Sequence, residues 1–186
     1  MAEKWFIKEA HEVSKNILYI AMSLDGMIAK EDHSLDWLLK AEGEGDNGYN
    51  DFYSGISSVV MGNRTYQEVL KMSDEKPYQD RPVYILSRTK QEDGYATFTS
   101  QSVDTLLPEL QKKHGGPVWI VGGGEVVKAC LESGQIDEYY IAVIPVVLGE
   151  GVPLFPKGSK YTELKLKGTE IYNQIVMLHY MKKQAE

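Results

Sequence analysis

Two stretches of the chain are built alike: Val59-Val60-Met61-Gly62-Asn63-Arg64-Thr65 and Val118-Trp119-Ile120-Val121-Gly122-Gly123-Gly124-Glu125. In each, a short apolar run without helical spacing reaches a glycine, and a helical pattern follows at once. The runs predict buried strands. After the first, Tyr66, Val69, Leu70 and Lys71 fall at helical spacing; after the second, a helix is expected over 125–133. A helix start leaves backbone N–H groups unpaired and carries the positive end of the dipole, so it favours an anion. Glycine lets a phosphate approach the backbone because it has no β-carbon. Taken singly, each junction reads more readily as a tight turn, with Thr65 capping its helix and Arg64 solvated. Two in one small sheet suit a dinucleotide, whose pyrophosphate needs a long crevice.

Around these junctions, further strands are expected over 17–22, 81–87, 164–171 and 175–181, and a long β-rich stretch over 136–148 is broken at Pro145. Helices are expected over 50–56 and 102–114, the latter ended by Gly115-Gly116. Residues 23–36 read as a turn and polar loop, and 41–50, rich in glycine and acids, as a mobile loop. Strands alternating with helices predict an α/β fold of three αβα layers. Its central sheet is mostly parallel, with helices on both faces and an antiparallel C-terminal edge. Residues 1–15 read as an N-terminal extension and 16–186 as one domain. Trp5, Phe6 and Ile7 are candidates for packing on the domain or on a partner subunit.

With 186 residues, 42% hydrophobic and 25% charged, the chain has the composition of a globular domain. Its net charge of −7 and lack of a basic run argue against a nucleic-acid partner, while a nucleotide cofactor needs only a few local cations. No apolar run has the length of a membrane span and no signal peptide is recognisable, so a soluble, cytoplasmic protein is expected. Cys130 is the only cysteine and lies in an apolar stretch, where a buried small hydrophobe is the simpler reading.

Arg88 follows the strand ending Ile85-Leu86-Ser87. If Arg64 and Arg88 share the carboxyl edge of the sheet, they could hold a ribose 2′-phosphate; otherwise they are exposed arginines in weak surface pairs. The Gly-x-Gly-x-x-Gly fingerprint of a dinucleotide fold is absent from the first βα turn. His11, His33, His114 and His179 are scattered and read as surface or structural groups, and no metal is expected. Trp37 and Tyr53 either line a ring-stacking pocket or fill core.

The order of Ile20-Ala21-Met22-Ser23-Leu24-Asp25-Gly26-Met27-Ile28-Ala29, Met61-Gly62-Asn63-Arg64-Thr65-Tyr66, Ile85-Leu86-Ser87-Arg88 and Val121-Gly122-Gly123-Gly124-Glu125 resembles the dihydrofolate reductase superfamily. It is most similar to the branch of the C-terminal reductase domain of the riboflavin-biosynthesis deaminase–reductase, as are Asp137-Glu138-Tyr139-Tyr140 and the run from Pro145 to Phe155. The resemblance covers about residue 16 to the C-terminus.

It implies an NADPH-dependent reductase acting on a small heterocyclic or ribosylamine-type molecule, similar to 5-amino-6-(5-phosphoribosylamino)uracil reductase. Ala21 and Ile28 would contact the nicotinamide; Gly62, Arg64 and Thr65 would hold phosphate; Leu86, Ser87 and Arg88 would flank the adenosine. Val121 and Gly122 would lead into a pyrophosphate cradle of Gly123, Gly124, Glu125 and Val126. Trp37, Asp46, Asp51 and Tyr53 are the candidates on the substrate side, although neither acid aligns cleanly with the carboxylate that grips the pterin in dihydrofolate reductases. Gly122 stands where the riboflavin branch usually has an acid. No catalytic residue is assigned, and Asp25 is read as shaping its turn. The family also implies a homodimer, with the apolar stretch 141–148 as a candidate edge. The alternatives are a non-catalytic NADP(H)-binding or interaction protein that kept the crevice, and dihydrofolate reductase itself.

Overall fold

The computed structural model describes residues 14–72, 75–89 and 91–183, so the proposed packing of Trp5, Phe6 and Ile7 and the reading of His11 lie outside the described residues. The strands are β1 (Asn16–Ser23), β2 (Met27–Ala29), β3 (Ser58–Gly62), β4 (Val83–Leu86), β5 (Thr97–Thr99), β6 (Val118–Gly122), β7 (Glu138–Ile144), β8 (Val152–Pro153), β9 (Leu164–Tyr172) and β10 (Ile175–Lys182). The helices are α1 (Asp36–Leu39), α2 (Tyr49–Ser54), α3 (Asn63–Lys71), α4 (Val103–His114) and α5 (Gly124–Glu132).

Among the described residues, eight strands form one sheet in the order β5-β4-β3-β6-β1-β7-β10-β9, and β2 and β8 form a separate two-stranded ribbon. The strands from β5 to β7 are mutually parallel, while β10 runs antiparallel to both β7 and β9. Alternation along the strands divides the core into two layers. Leu18, Val60, Ile120, Tyr139 and Ile141 face α4 and α5, packing with Leu106, Leu107, Val127 and Cys130. Ile17, Val59, Met61, Ile85, Trp119 and Tyr140 face the opposite way, toward Phe52 of α2 and Tyr66 of α3. This is the three-layer arrangement expected from the strand–helix alternation.

Direction of travel explains the split. From β3 the chain crosses to β4 on one side; from β6 it crosses over β1 to β7 on the other. Parallel crossovers are right-handed, so opposite directions put α3 and α5 on opposite faces. β3 and β6 are neighbours, and the crevice beyond their carboxyl ends is the topological switch point of the sheet.

The sequence reading needs amendment in a few places. The polar stretch 23–36 contains β2, which forms only because β8 returns to pair with it. The segment 141–148 is no edge: β7 lies between β1 and β10, and the chain leaves the sheet after Ile144. A strand with apolar residues on both faces is what an interior position demands. Cys130 is fully buried, and burial pushes its thiol up to about 12. Among the described residues, no helix is long and apolar enough to cross a membrane.

Candidate functional site

The two glycine junctions meet at the switch point. A β-carbon placed on Gly62 would lie 3.3 Å from Val126 Cγ2 of α5. One placed on Gly123 would lie 3.1 Å from Thr65 Oγ1 of α3 and 3.7 Å from Ile28 Cδ1 of β2. The space between the two helix starts is therefore held open by missing side chains. The peptide bond between Gly122 and Gly123 is cis, and Gly122 has φ of 131°, a left-handed conformation suited to glycine. Helices α3 and α5 have nine residues each, and neither N-cap, Gly62 or Gly123, makes a side-chain capping bond. Their first N–H groups thus lack the partners that a Ser, Thr or Asp cap would give. Asn63 Oδ1, in the first turn of α3, is buried without a partner among the described residues.

Register brings the arginines to the same edge. Gly62 pairs with Leu86 across β3 and β4, and Arg64 and Arg88 each follow two residues later. Among the described residues, no carboxylate pairs with either guanidinium, whereas Arg81, the remaining arginine, binds Asp80 at 2.9 Å. Arg64 Nη1 donates instead to His33 Nε2 at 3.1 Å, a contact across sequence that nothing in the local pattern signals. Ser87 Oγ donates to the Thr89 carbonyl, shaping the turn that carries Arg88.

An open groove of about 510 Å³ continues from the end of β4 between α4 and α5. Leu86, Val103, Val126 and Ala129 give it an apolar lining, with Ser102, Asp104 and Glu125 among its polar groups. Gln101–Asp104 were not among the residues expected here, because α4 reaches the groove only through the crossover.

The other end of the crevice is fixed by Asp25. Its carboxylate accepts hydrogen bonds from Ser23 Oγ (2.6 Å), Leu148 N–H (3.1 Å) and Gly149 N–H (2.7 Å). The Ser23 hydroxyl and the two loop amides hold the Asp25 carboxyl down at about 2. Gly26 O accepts from Leu154 N–H at 2.9 Å, which ties the β1–β2 turn and strand β2, with Ile28, to the segment after β7. Trp37 is buried beside Ala21, Ile144 and Leu148, and its indole N–H lacks a partner among the described residues.

The remaining substrate-side candidates lie elsewhere. Asp46 accepts N–H bonds from Gly48 and Asn50 at 3.1 and 2.8 Å, securing the start of α2. Asp51 is exposed on the outer side of α2. Tyr53 stacks on Tyr49 and donates to Asp80 at 2.5 Å, in a different apolar cluster from Trp37. His114 pairs with Tyr84, and His179 with the buried Glu138. Among the described residues, no group of His, Cys, Asp or Glu is placed to hold a metal.

Comparison with known proteins agrees with this fold. The Bacillus subtilis (strain 168) protein YwjB is 46% identical over 170 residues, covering 90% of this chain and 98% of its own length. A crystal structure of a putative riboflavin biosynthesis protein from Shewanella sp. PV-4 superposes with a TM-score of 0.83 at 29% identity, over 91% of this chain and 99% of that one. Dihydrofolate reductase from Enterococcus faecalis complexed with NADP(H) shares the fold, with a TM-score of 0.67 at 18% identity over 91% of this chain and 97% of that one. The family model described as the RibD C-terminal domain matches residues 15–178, and the chain belongs to that family.

Proposed function

We propose that the chain is a cytoplasmic NADPH-dependent reductase that transfers a hydride to a small heterocyclic or ribosylamine-type substrate, in the manner of a 5-amino-6-(5-phosphoribosylamino)uracil reductase. The observation carrying this reading is the meeting of two uncapped helix starts beside two guanidinium groups that have no carboxylate partner among the described residues. In a chain of net charge −7, that is a local concentration of positive potential. The residues fit a dinucleotide: glycine leaves room for a diphosphate between α3 and α5, and the buried Asn63 Oδ1 awaits a donor.

NADPH, when bound, supplies the hydride; the protein supplies binding, orientation and exclusion of water. The N–H groups at the starts of α3 and α5, with Thr65, would hold the diphosphate, and Arg64 and Arg88 the 2′-phosphate through charge-assisted hydrogen bonds. The groove lined by Leu86, Val103, Val126 and Ala129 would receive the adenine ring. Ala21, Ile28 and Trp37 would border the nicotinamide end, with Asp25 holding the wall in place. Membership of the RibD C-terminal family and the fold shared with a dihydrofolate reductase complexed with NADP(H) support this cofactor class.

One observation favours a second reading, a non-catalytic NADP(H)-binding protein: Asp46 is taken up in securing α2, and Asp51 faces away. The discriminating experiment titrates NADPH and NADH into the protein and then follows loss of reduced-nicotinamide absorbance with pyrimidine, pterin and ribosylamine acceptors. Preference for NADPH with turnover is expected. Binding without turnover across the panel selects the second reading, and no binding of NADPH removes both.

A further inference from the structure

The amino end of the parallel strands, opposite the glycine corner, carries a separate cavity of about 180 Å³. It lies at the end of α5, between the start of β7, the end of β10 and residues 160–163. Backbone bonds hold its walls. Lys182 N–H donates to the Asp137 carbonyl at 2.9 Å, and Lys183 N–H to the Glu163 carbonyl at 3.0 Å. Leu131, Ile136 and Tyr139, all buried, give it an apolar floor. An apolar cavity of about 150 Å³ is enough to admit benzene, so this one has room for a single ring bearing a small polar group.

Tyr139 puts a donor into that floor. Alternation along β7 turns it toward α5, while Tyr140 joins the opposite layer. It is 1% exposed, yet its hydroxyl has no hydrogen-bond partner among the described residues. A phenol buried so deeply ordinarily has one. Burial pushes the group above the usual phenol range, so it stays a donor.

The rim is cationic. Lys160 and Lys182 donate to the Glu132 and Gly134 carbonyls at the end of α5, at 3.5 and 2.9 Å. Those bonds satisfy the helix end and leave each ammonium further N–H groups. Among the described residues no carboxylate forms an ion pair with either. The acid on the rim, Glu163, is bound by Lys183 at 3.1 Å and by the Tyr161 hydroxyl at 3.1 Å. Asp137 accepts from the Asn16 N–H at 2.8 Å and acts on Lys182 only from beyond ion-pair distance.

We propose that this cavity binds a small monocarboxylic acid whose apolar body is about the size of one ring. The body would lie on Leu131, Ile136 and the Tyr139 ring, with the carboxylate between the Tyr139 hydroxyl and the Lys160 and Lys182 ammonium groups. A neutral hydrocarbon would leave the phenol unpaired, and a cation would be repelled by the lysines. The inference is independent of the redox reading, because the cavity lies at the opposite end of the strands from the glycine corner.

Benzoate is the probe, titrated into the intact chain by calorimetry, with benzamide and acetate as controls. Benzoate should bind, and amide NMR shifts should centre on residues 131–139 and 160–163. Benzamide, which keeps the ring and loses the charge, should bind about tenfold more weakly or worse. Acetate, which keeps the charge and loses the ring, should do the same. Tyr139→Phe should weaken benzoate about tenfold, and Lys160→Met/Lys182→Met by at least as much. Tyr139→Phe removes a hydroxyl with no partner, so its urea midpoint should match or exceed that of wild type. Absence of benzoate binding overturns the proposal. So do shifts centred on the starts of α3 and α5, wild-type affinity in both variants, or a Tyr139→Phe chain that is clearly less stable.

Discussion

Gly62, the last residue of β3, faces Val126, in the first turn of α5, across the switch point: a β-carbon at 62 would come into contact with it, 3.3 Å from Val126 Cγ2. That approach makes neighbours of two helix starts widely separated in sequence. Each helix alone offers a few N–H groups and half a unit of effective charge; side by side they make one concave site. The predictions below probe that site and the scaffold holding it.

If Arg64 and Arg88 read the 2′-phosphate, Arg64→Ala and Arg88→Ala should each weaken NADPH by about 1–3 kcal/mol, the range for hydrogen bonds to charged groups. NADH should change far less, because it lacks the group being read. Titration of both cofactors against each variant checks this. Equal losses for the two would assign the arginines another role.

Gly124→Ala, at the first residue of α5, should destabilise the fold where that helix packs on the segment around Pro153. The added β-carbon would stand 2.6 Å from the Pro153 carbonyl oxygen and 3.1 Å from Pro156 Cγ. Backbone at that distance must shift, and overpacking of this kind costs about 1–3 kcal/mol. Urea denaturation measures the loss directly. An unchanged midpoint would mean that α5 and the segment around Pro153 are not packed as described.

Asp25 gives the site an acid-sensitive clamp. Hydrogen bonds from Ser23, Leu148 and Gly149 lower its carboxyl to about 2 in the folded state. A carboxyl depressed by folding contributes stability that is fully present above its unfolded value and lost as pH falls through the folded one. Asp25→Asn should therefore be less stable than wild type at neutral pH, and the difference should shrink between about pH 4 and pH 2. Carbon NMR of the carboxyl gives the folded value, and denaturation at several pH values gives the linkage. A gap independent of pH would show that the charge is not what holds the loop.

Cys130 should resist alkylation while the protein is folded. Burial drives its thiol up to about 12 and removes it from solvent, so almost no thiolate is present at neutral pH. Iodoacetamide should label it only under denaturing conditions. Fast labelling of the native chain would show that α5 opens readily from the sheet.

The legible parts of the fold were those with local signatures. Val59-Val60-Met61 and Val118-Trp119-Ile120-Val121 read as buried strands because both of their faces are covered, and Gly115 closes α4 with φ of 66° where a left-handed residue is needed. The role of Asp46 was also within reach, since Asp46-x-Gly48-x-Asn50 before a helix is a capping pattern. Less accessible were β2, β5 and α1, with three, three and four residues, too short for any periodicity to register. The contact of His33 with Arg64 was invisible for a different reason. It depends on a loop whose course is set by β8 pairing with β2, and by Asp25 holding the amides of Leu148 and Gly149.

By itself the sequence determined where strands give way to helices and which corners lack side chains, because side-chain period and glycine freedom are properties of a few adjacent residues. Tertiary structure alone decided that β6 inserts between β3 and β1, that α3 and α5 leave toward opposite faces, and that β9 rather than β7 is left at the edge. Strand order depends on hydrogen bonds and burial between segments far apart in the chain, and on the right-handedness of each crossover. No local window contains that information, yet it is what brings two ordinary glycine turns together at one corner of the sheet.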